Sequence, residues 1–418
     1  MNTVECDIRD LALADAGKRR IESAFQSMPV LQSIRKQFIK AQPLAGLKVA
    51  ACLPVTTETA NLMVTLRDGG AELYLSASNA LATQGDVAAS LVKDFSISTF
   101  AQKGEPTRLH PLVDCQPDLA VDTGYQLAQA LHAPDRQSSE LIGGTEESVQ
   151  AVAQLKALAV AGTLAYPVVA VNDATTRHFF DNRYGTGQST IDGVLRATNI
   201  LLAGMNLVVG GYGWCGRGVA SRARGLGANV IVTEVDPLKG LEALMDGYRV
   251  MSMGEAAPLG DVFITVTGNK SVIAREHFEK MKSGAILCNS GHFNVEIDLE
   301  TLAKMASSRR MMREYVEEFA LRDGRRLYVL GDGELINLAS GEGHPASVMD
   351  MSFANQALCL QYLVANRGKL ERCVFPVPDA IDREVARMKL DSMGAKIDRL
   401  TPEQERYLGG RSPAGGGA

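Results

Sequence analysis

Apolar residues fall in short runs separated by amphipathic stretches along most of the chain. After a lead-in over 10–41 with helical spacing, LAGLKVAACLPVT reads as a buried strand ending in a loop, TETANLMVTLRDGG as a helix and AELYLSA as a second strand. The alternation continues through DVAASLVKD, DLAVDTG, ESVQAVAQLKALAVAG and YPVVAVND, the rhythm of a doubly wound parallel sheet. A helix over 188–199 opens a second series, with later strands at DVFITVTG, AILCNSG and RRLYVLG. From Pro378 the pattern turns helical and charged, and the chain closes in GGRSPAGGGA, a composition that packs nothing. The expected fold is α/β, with two doubly wound parallel-sheet domains and a helical C-terminal tail.

Size and composition agree with two units. At 418 residues the chain exceeds the length over which one hydrophobic core keeps growing, and 46% hydrophobic with 22% charged residues is an ordinary globular mix. A net charge of -5 without any lysine or arginine run gives no footprint for nucleic acid. The longest apolar run, 157–171, contains Gly162 and Pro167 and is too short to span a bilayer. MNTVECDIRD lacks the basic and apolar regions of a secretory signal, so a cytoplasmic protein that engages no membrane is expected. Seven scattered cysteines without C-x-x-C spacing point to reduced thiols, with neither a disulfide framework nor a metal site.

The most specific local pattern is a G-x-G-x-x-G formed by Gly211, Gly213 and Gly216. It follows an apolar strand at 205–210 and opens a helix at 217–225, and the next strand, ANVIVTE, ends in Glu234. Glycines allow the tight turn and let backbone N–H groups approach a pyrophosphate, while the acid accepts hydrogen bonds from a ribose diol. An acid would also repel a 2′-phosphate, so NAD is expected rather than NADP. A glycine-rich turn without a ligand is the plainer alternative, and the full strand, turn, helix and acid context argues against it.

Taken together, NDATTRHFFDNRYG, its spacing to GYGWCGRG, TEVDP, CNSGHFNVEID, INLASGEGHPASVM and LTPEQERYLG resemble the S-adenosylhomocysteine hydrolase family over nearly the whole chain. The resemblance implies a substrate domain at 1–187 with 343–377, an NAD domain at 188–342 and an oligomerisation tail at 378–418, in a homodimer or homotetramer. It also implies an adenine nucleoside substrate. A ribose hydroxyl is oxidised transiently, the C4′ hydrogen becomes acidic, the 5′ substituent leaves, water adds to the alkene and the ketone is reduced back.

Matched by motif, Thr56, Glu58, Thr59, His344, Met349 and Phe353 resemble the adenine pocket, with Glu58 accepting from an exocyclic amine and His344 meeting a ring nitrogen. Asp122, Glu147, Arg177, Asp181 and His292 fall on catalytic positions, alongside Asn172. Asn182, Asn289 and Asn337 join the three glycines and Glu234 as cofactor positions.

Four departures stand inside this likeness. Pro54 occupies the place of a histidine in the family's CLHMTVET, and proline has no proton to exchange. Arg177 replaces a lysine, and a guanidinium that stays charged is a poor general base, leaving Asp181, Glu147 or an ordered water for that work. Ser148, Val149 and Gln150 replace a threonine triplet that touches NAD, and the C-terminal lysine and tyrosine that reach a neighbouring subunit's NAD are missing. These departures favour a divergent member that keeps oxidation and elimination and expels the hydroxyl of a terminal CH2OH, a nucleoside dehydratase of an antibiotic pathway. An authentic S-adenosylhomocysteine hydrolase and an NAD-binding regulatory pseudoenzyme are the alternatives.

Overall fold

The computed structural model describes residues 4–79, 81–133 and 141–408, so the closing run at 409–418 lies outside the described residues. The N-terminal sheet is built from β1 (Cys6–Asp7), β2 (Lys48–Leu53), β3 (Glu72–Ala77), β4 (Ser98–Phe100), β5 (Leu119–Asp122), β6 (Gly143–Glu146) and β7 (Val168–Ala170). The other sheet holds β8 (Asn206–Gly210), β9 (Asn229–Thr233), β10 (Arg249–Val250), β11 (Val262–Thr265), β12 (Ile286–Asn289), β13 (Ala306–Arg313), β14 (Val316–Leu321) and β15 (Arg326–Leu330). The chain then returns, and β16 (Val374–Pro376) pairs with β7 at the edge of the first sheet.

The first sheet runs β1-β4-β3-β2-β5-β6-β7-β16 and is parallel throughout. The second runs β10-β9-β8-β11-β12-β15-β14-β13, and its antiparallel part is the β15-β14-β13 end. Central strands such as KVAACL are buried on both faces by helices, which is why they read as continuous apolar runs without alternation.

Several elements had no expectation behind them. β6 is Gly-Gly-Thr-Glu, buried at every residue yet without an apolar pattern. β13 is an edge strand rich in exposed charge, so neither of its faces carries a hydrophobic signal. The lead-in splits in two, Ala14–Gln26 and Pro29–Ala41, because Pro29 has no N–H to continue the first helix and is suited to start the second. The fingerprint helix begins at Trp214 rather than 217.

Three local features position the cleft between the sheets. Residues Arg177–Gly185 form a π-helix, closed by the Thr186 N–H donating to the Asp181 carbonyl, and run straight into the Thr186–Thr198 helix. Wide turns of this kind gather at functional sites. Against it lies the Trp214–Gly225 helix at near contact: a Cβ on Gly218 would sit 1.8 Å from the Arg183 carbonyl oxygen. Glycine there is required by close approach of two backbones.

The Ala346–Ala365 helix crosses the first unit with eleven buried residues, packing on the Pro29–Ala41 and Thr57–Asp68 helices and on the π-helix. It is mostly apolar, and of its buried polar residues Asp350, Ser352, Asn355 and Gln356 the last three share one face at i, i+3 and i+4. The Asp379–Ser392 helix packs outside it, and Asp382 accepts from the Thr175 N–H at 2.7 Å and the Thr176 N–H at 3.2 Å, capping the start of the π-helix.

Candidate active site

Open α/β sheets place ligands at the carboxyl ends of parallel strands, where the strand order reverses. In the first sheet that point lies between β2 and β5, and in the second between β8 and β11. Both face one cavity of about 500 Å³. Its wall is made from residues just past strand ends: Pro54 after β2, Ser78 after β3, Thr123 after β5 and Glu147 after β6. Thr267 past β11, the 290–294 loop after β12 and Asn337 beyond β15 close it from the other side.

Arg177 is part of its wall. The guanidinium Nη1 is 2.9 Å from Asp181 Oδ2 and Nη2 is 3.7 Å from Glu147 Oε2, with all three side chains buried. Arg177 Nε–H has no acceptor, which leaves a buried donor free. The long helix supports this cluster from behind: Ser352 donates to Asp181 Oδ2 at 2.6 Å, and Gln356 Nε2 donates to Glu147 Oε1 at 2.6 Å. Asn355 Nδ2 donates to the Thr176 hydroxyl at 2.9 Å.

The two carboxylates are driven apart. Burial alone would raise Asp181, yet Arg177 and His344 hold it well below the ordinary carboxylate range. Burial pushes Glu147 up, and Arg177 only partly offsets that. His292 is pushed down to about 4 by burial and by the charge of Arg177, so it is neutral near pH 7. The imidazole packs on Gly124, where a Cβ would come 2.5 Å from Nε2 and φ is +94°.

Asp122 does not reach this wall. It is 3% exposed beneath Thr123, with Oδ2 accepting from the Ala128 N–H at 2.8 Å and Oδ1 unpartnered. Beside it on β6, fully buried Glu146 accepts from the backbone N–H groups of Gly124, Tyr125, Glu147 and Ser148. Burial and the neighbouring Asp122 raise the Glu146 pKa. This pair fixes the loops that hold His292 and Glu147, a role no sequence signal announced.

The expected adenine-pocket residues all line the cavity. Thr56 caps the Thr57–Asp68 helix by accepting from the Thr59 N–H, and Glu58 is buried, its Oε1 accepting from Thr57 at 2.8 Å. His344 departs from expectation. Its Nδ1 meets Asp181 and its Nε2 lies 3.3 Å from the Thr186 hydroxyl, so both ring nitrogens are engaged before any adenine arrives.

Asn289 also departs. It is fully buried, donates to the carbonyls of Gly291, Phe293 and Gly333, and accepts from the Gly291 N–H, so its amide braces the 290–294 loop and leaves nothing for a cofactor.

Comparison with known proteins joins this geometry to the motifs. The family model for S-adenosyl-L-homocysteine hydrolase matches residues 5–124, and that for the NAD-binding domain of the same hydrolase matches 182–343. Adenosylhomocysteinase of Aquifex aeolicus is 58% identical over 411 residues, covering 97% of this chain and 98% of the relative. That of Thermosynechococcus vestitus is 56% identical, covering 97% and 96%, and that of Saccharolobus solfataricus is 54% identical, covering 96% and 97%. The chain belongs to the S-adenosyl-L-homocysteine hydrolase family.

It is an NAD-dependent enzyme of the adenosylhomocysteinase type, and its residues fit the cofactor. Gly211 takes φ +106°, and a Cβ there would be 3.0 Å from Thr267, so only glycine makes this turn without strain. A Cβ on Gly213 would meet nothing within 4 Å, which leaves open space before the N-terminus of the Trp214–Gly225 helix for a pyrophosphate. Gly216 packs so closely that a Cβ would sit 2.0 Å from the Gly211 carbonyl oxygen, holding helix to strand.

Glu234 accepts from the Tyr212 N–H at 2.7 Å and the Val235 N–H at 2.7 Å, which shapes the loop and fixes the carboxylate. Nearer the centre, Asn182 lines the cavity, and buried Asn337 donates to Ser189 while its Oδ1 stays unpartnered.

Three of the four departures from the adenosylhomocysteinase pattern, Arg177 among them, fall in the same cavity, and the C-terminal one concerns the closing run outside the described residues. Pro54 and the 148–150 triplet line the cavity. Ser148 caps the Val149–Val160 helix, and the Gln150 amide lies against Gly268 across the cleft, 1.8 Å from where a Cβ would be. Sequence reasoning missed Ser78, Asn79, Gln126 and Glu334, which also line the cavity. For Ser78 and Asn79 the position just after β3 was the available signal, carried weakly by single polar residues, whereas Gln126 opens a helix and Glu334 follows the Gly331–Gly333 turn. Among the described residues no helix is long and apolar enough to cross a membrane.

Proposed function

We propose that the protein interconverts S-adenosylhomocysteine with adenosine and homocysteine. One juxtaposition carries this function: Glu58, Thr59 and Phe353, the Glu147–Arg177–Asp181 cluster, and the Asn337 end of the NAD half line a single cavity. NAD, when bound, supplies reversible oxidation of a ribose hydroxyl, which acidifies the C4′ hydrogen. Glu147 is then the proton acceptor, because burial raises its basicity whereas Asp181 is held ionised and weakly basic by Arg177 and His344. Arg177 keeps its proton and places charge and a free Nε–H against an oxyanion.

The missing histidine also favours this substrate. A departing thiolate, conjugate to a thiol of pKa about 8.5, leaves without a proton donor. Hydroxide, conjugate to water of pKa about 15.7, does not. Pro54 is therefore compatible with breaking a C5′–S bond and unsuited to expelling a 5′-hydroxyl. Identities of 53–58% to adenosylhomocysteinases over nearly full length point the same way.

The dehydratase alternative keeps one observation in its favour: Pro54 withdraws a group that would help water add to the alkene. Incubating holoenzyme with S-adenosylhomocysteine in deuterated solvent separates the two. Homocysteine release with deuterium at C4′ of adenosine is expected, and no homocysteine there, alongside a product lighter by one water from a parallel incubation with adenosine, would replace this proposal.

Assembly as a cytoplasmic homo-oligomer belongs to the same proposal. Apolar side chains left open on the Pro237–Met245 helix support the oligomer, with Leu238 and Met245 each 77% exposed. Light scattering at working concentration tests it.

A further inference from the structure

Four carboxylates stand in the cavity wall: Glu58, Glu147, Asp181 and Glu334. Glu147 and Asp181 face Arg177, and Glu58 lies in the field of Arg20. Glu334 differs. Its Oε2 accepts from Asn79 Nδ2 at 3.1 Å and its Oε1 from Asn294 Nδ2 at 2.7 Å, and among the described residues no lysine or arginine pairs with it.

Burial pushes the Glu334 carboxyl above its ordinary range, and nearby Asp332 adds to that. Two neutral amides thus aim a half-buried carboxylate without neutralising it, while the second lone pair on each oxygen stays available.

Next to Asn79 in the chain, Ser78 is 5% exposed, lines the same cavity, and its hydroxyl has no partner. A buried hydroxyl left unbonded costs stability until a ligand completes it. Gln126 holds the Ser78 backbone in place by donating to its carbonyl at 2.6 Å. Asn79 is pinned in turn, since its Oδ1 accepts from the Leu81 N–H at 2.8 Å while its Nδ2 spans the cleft to Glu334. The subsite therefore has one wall on each unit.

We propose that Glu334 and Ser78 form the subsite for the amino-acid end of the substrate, Glu334 taking the α-ammonium and the Ser78 hydroxyl donating to the α-carboxylate. This subsite rests on the hydrolase function proposed above. It would select a zwitterionic thiol over one that carries only a carboxylate, because removing the ammonium leaves Glu334 buried against a second negative charge.

The test runs the holoenzyme in the synthetic direction, with adenosine and either homocysteine or 4-mercaptobutanoate, which lacks the ammonium. Wild type is expected to favour homocysteine in kcat/KM by roughly 10- to 100-fold, the scale of a charge-assisted hydrogen bond. Glu334→Gln, the same shape and still able to accept at Oε1, brings that ratio close to one, and Glu334→Asp falls between. Because the ratio is taken within each variant, loss of folded protein cancels from it. A ratio near one in wild type, or an unchanged ratio in Glu334→Gln, overturns the subsite alone. Absence of any thioether from homocysteine in wild type overturns the hydrolase function and the subsite with it.

Discussion

Replacing Arg177 with methionine tests the electrostatic core of the site. The change leaves the aliphatic stem and removes a buried charge that sits 2.9 Å from Asp181 and 3.7 Å from Glu147. Breaking a buried ion cluster by deleting one partner costs about 3–5 kcal/mol, because the remaining charges keep their desolvation penalty. Over 418 residues, a melting entropy of about 0.9 kcal/mol/K converts this into a drop in Tm of about 3–6 °C.

The deficit has a pH signature. Without Arg177 the folded-state pKa of Glu147, already raised by burial, rises further above its unfolded value, so the variant regains stability as pH falls through that folded pKa. Asp181, held low in wild type, contributes stability that is complete above its unfolded pKa of about 3.9 and is lost only as pH falls further toward its folded pKa, so between pH 5 and 8 the change comes from Glu147. Thermal unfolding of Arg177→Met against wild type is therefore expected to show the widest gap near pH 8 and a narrower one at pH 5. A gap that stays constant, or widens toward acid, refutes the raised pKa assigned to Glu147 beside Arg177. Arg177→Lys, which keeps the charge, is expected to retain most of the stability.

Further outcomes follow from the same geometry. Asp382→Ala removes the acceptor for the Thr175 and Thr176 N–H groups and is expected to cost about 2 kcal/mol in urea unfolding and to lower turnover, with Asp382→Asn recovering part of both. His292, with its pKa pushed down to about 4, should show no imidazole titration by NMR between about pH 5.5 and 8; a transition in that window would mean it is charged during turnover. Glu234→Ala should weaken NAD binding roughly tenfold in a fluorescence titration and narrow the preference over NADP, whereas unchanged binding of both would remove the acid from cofactor selection. Pro54→His combined with Arg177→Lys should raise hydrolysis of S-adenosylhomocysteine if those two positions set this chain apart from its relatives, and a rate that does not rise excludes them.

The fold was legible where a strand or turn needs a particular residue type. Gly211 and Gly216 are demanded by a positive φ and by a backbone 2.0 Å from a would-be Cβ, and the doubly buried strands leave apolar runs that no loop would carry. Where burial comes from neighbours rather than from the segment's own side chains, the signal vanishes. β6 is covered on both faces although its sequence is Gly-Gly-Thr-Glu, β13 exposes nearly every residue at a sheet edge, and the π-helix at Arg177–Gly185 differs from an α-helix only in which carbonyl each N–H reaches.

The site shows the same division at single-residue scale. Motif matching brought Glu147, Arg177, Asp181, Asn182 and His292 into one cavity, because their spacing is tied to strand ends. It could not tell which way a polar residue turns at such an end. Successive strand residues face opposite sides, so Asp122, the last residue of β5, turns to the Ala128 N–H while Thr123 lines the cleft, and Asn289 at the end of β12 is buried while Ser290 lines the wall. The converse holds for Ser78 and Glu334. Each is an unremarkable polar residue in sequence, and the chemistry they share arises only when the ends of β3 and of the Gly331–Gly333 turn meet across the cleft, a contact of residues 255 apart from Asn79 to Glu334 that no local pattern encodes. Specificity for the part of a substrate that bridges two units is thus written where the two walls of the cleft meet, and a carboxylate held only by amides together with a hydroxyl without a partner is the form in which that information becomes visible.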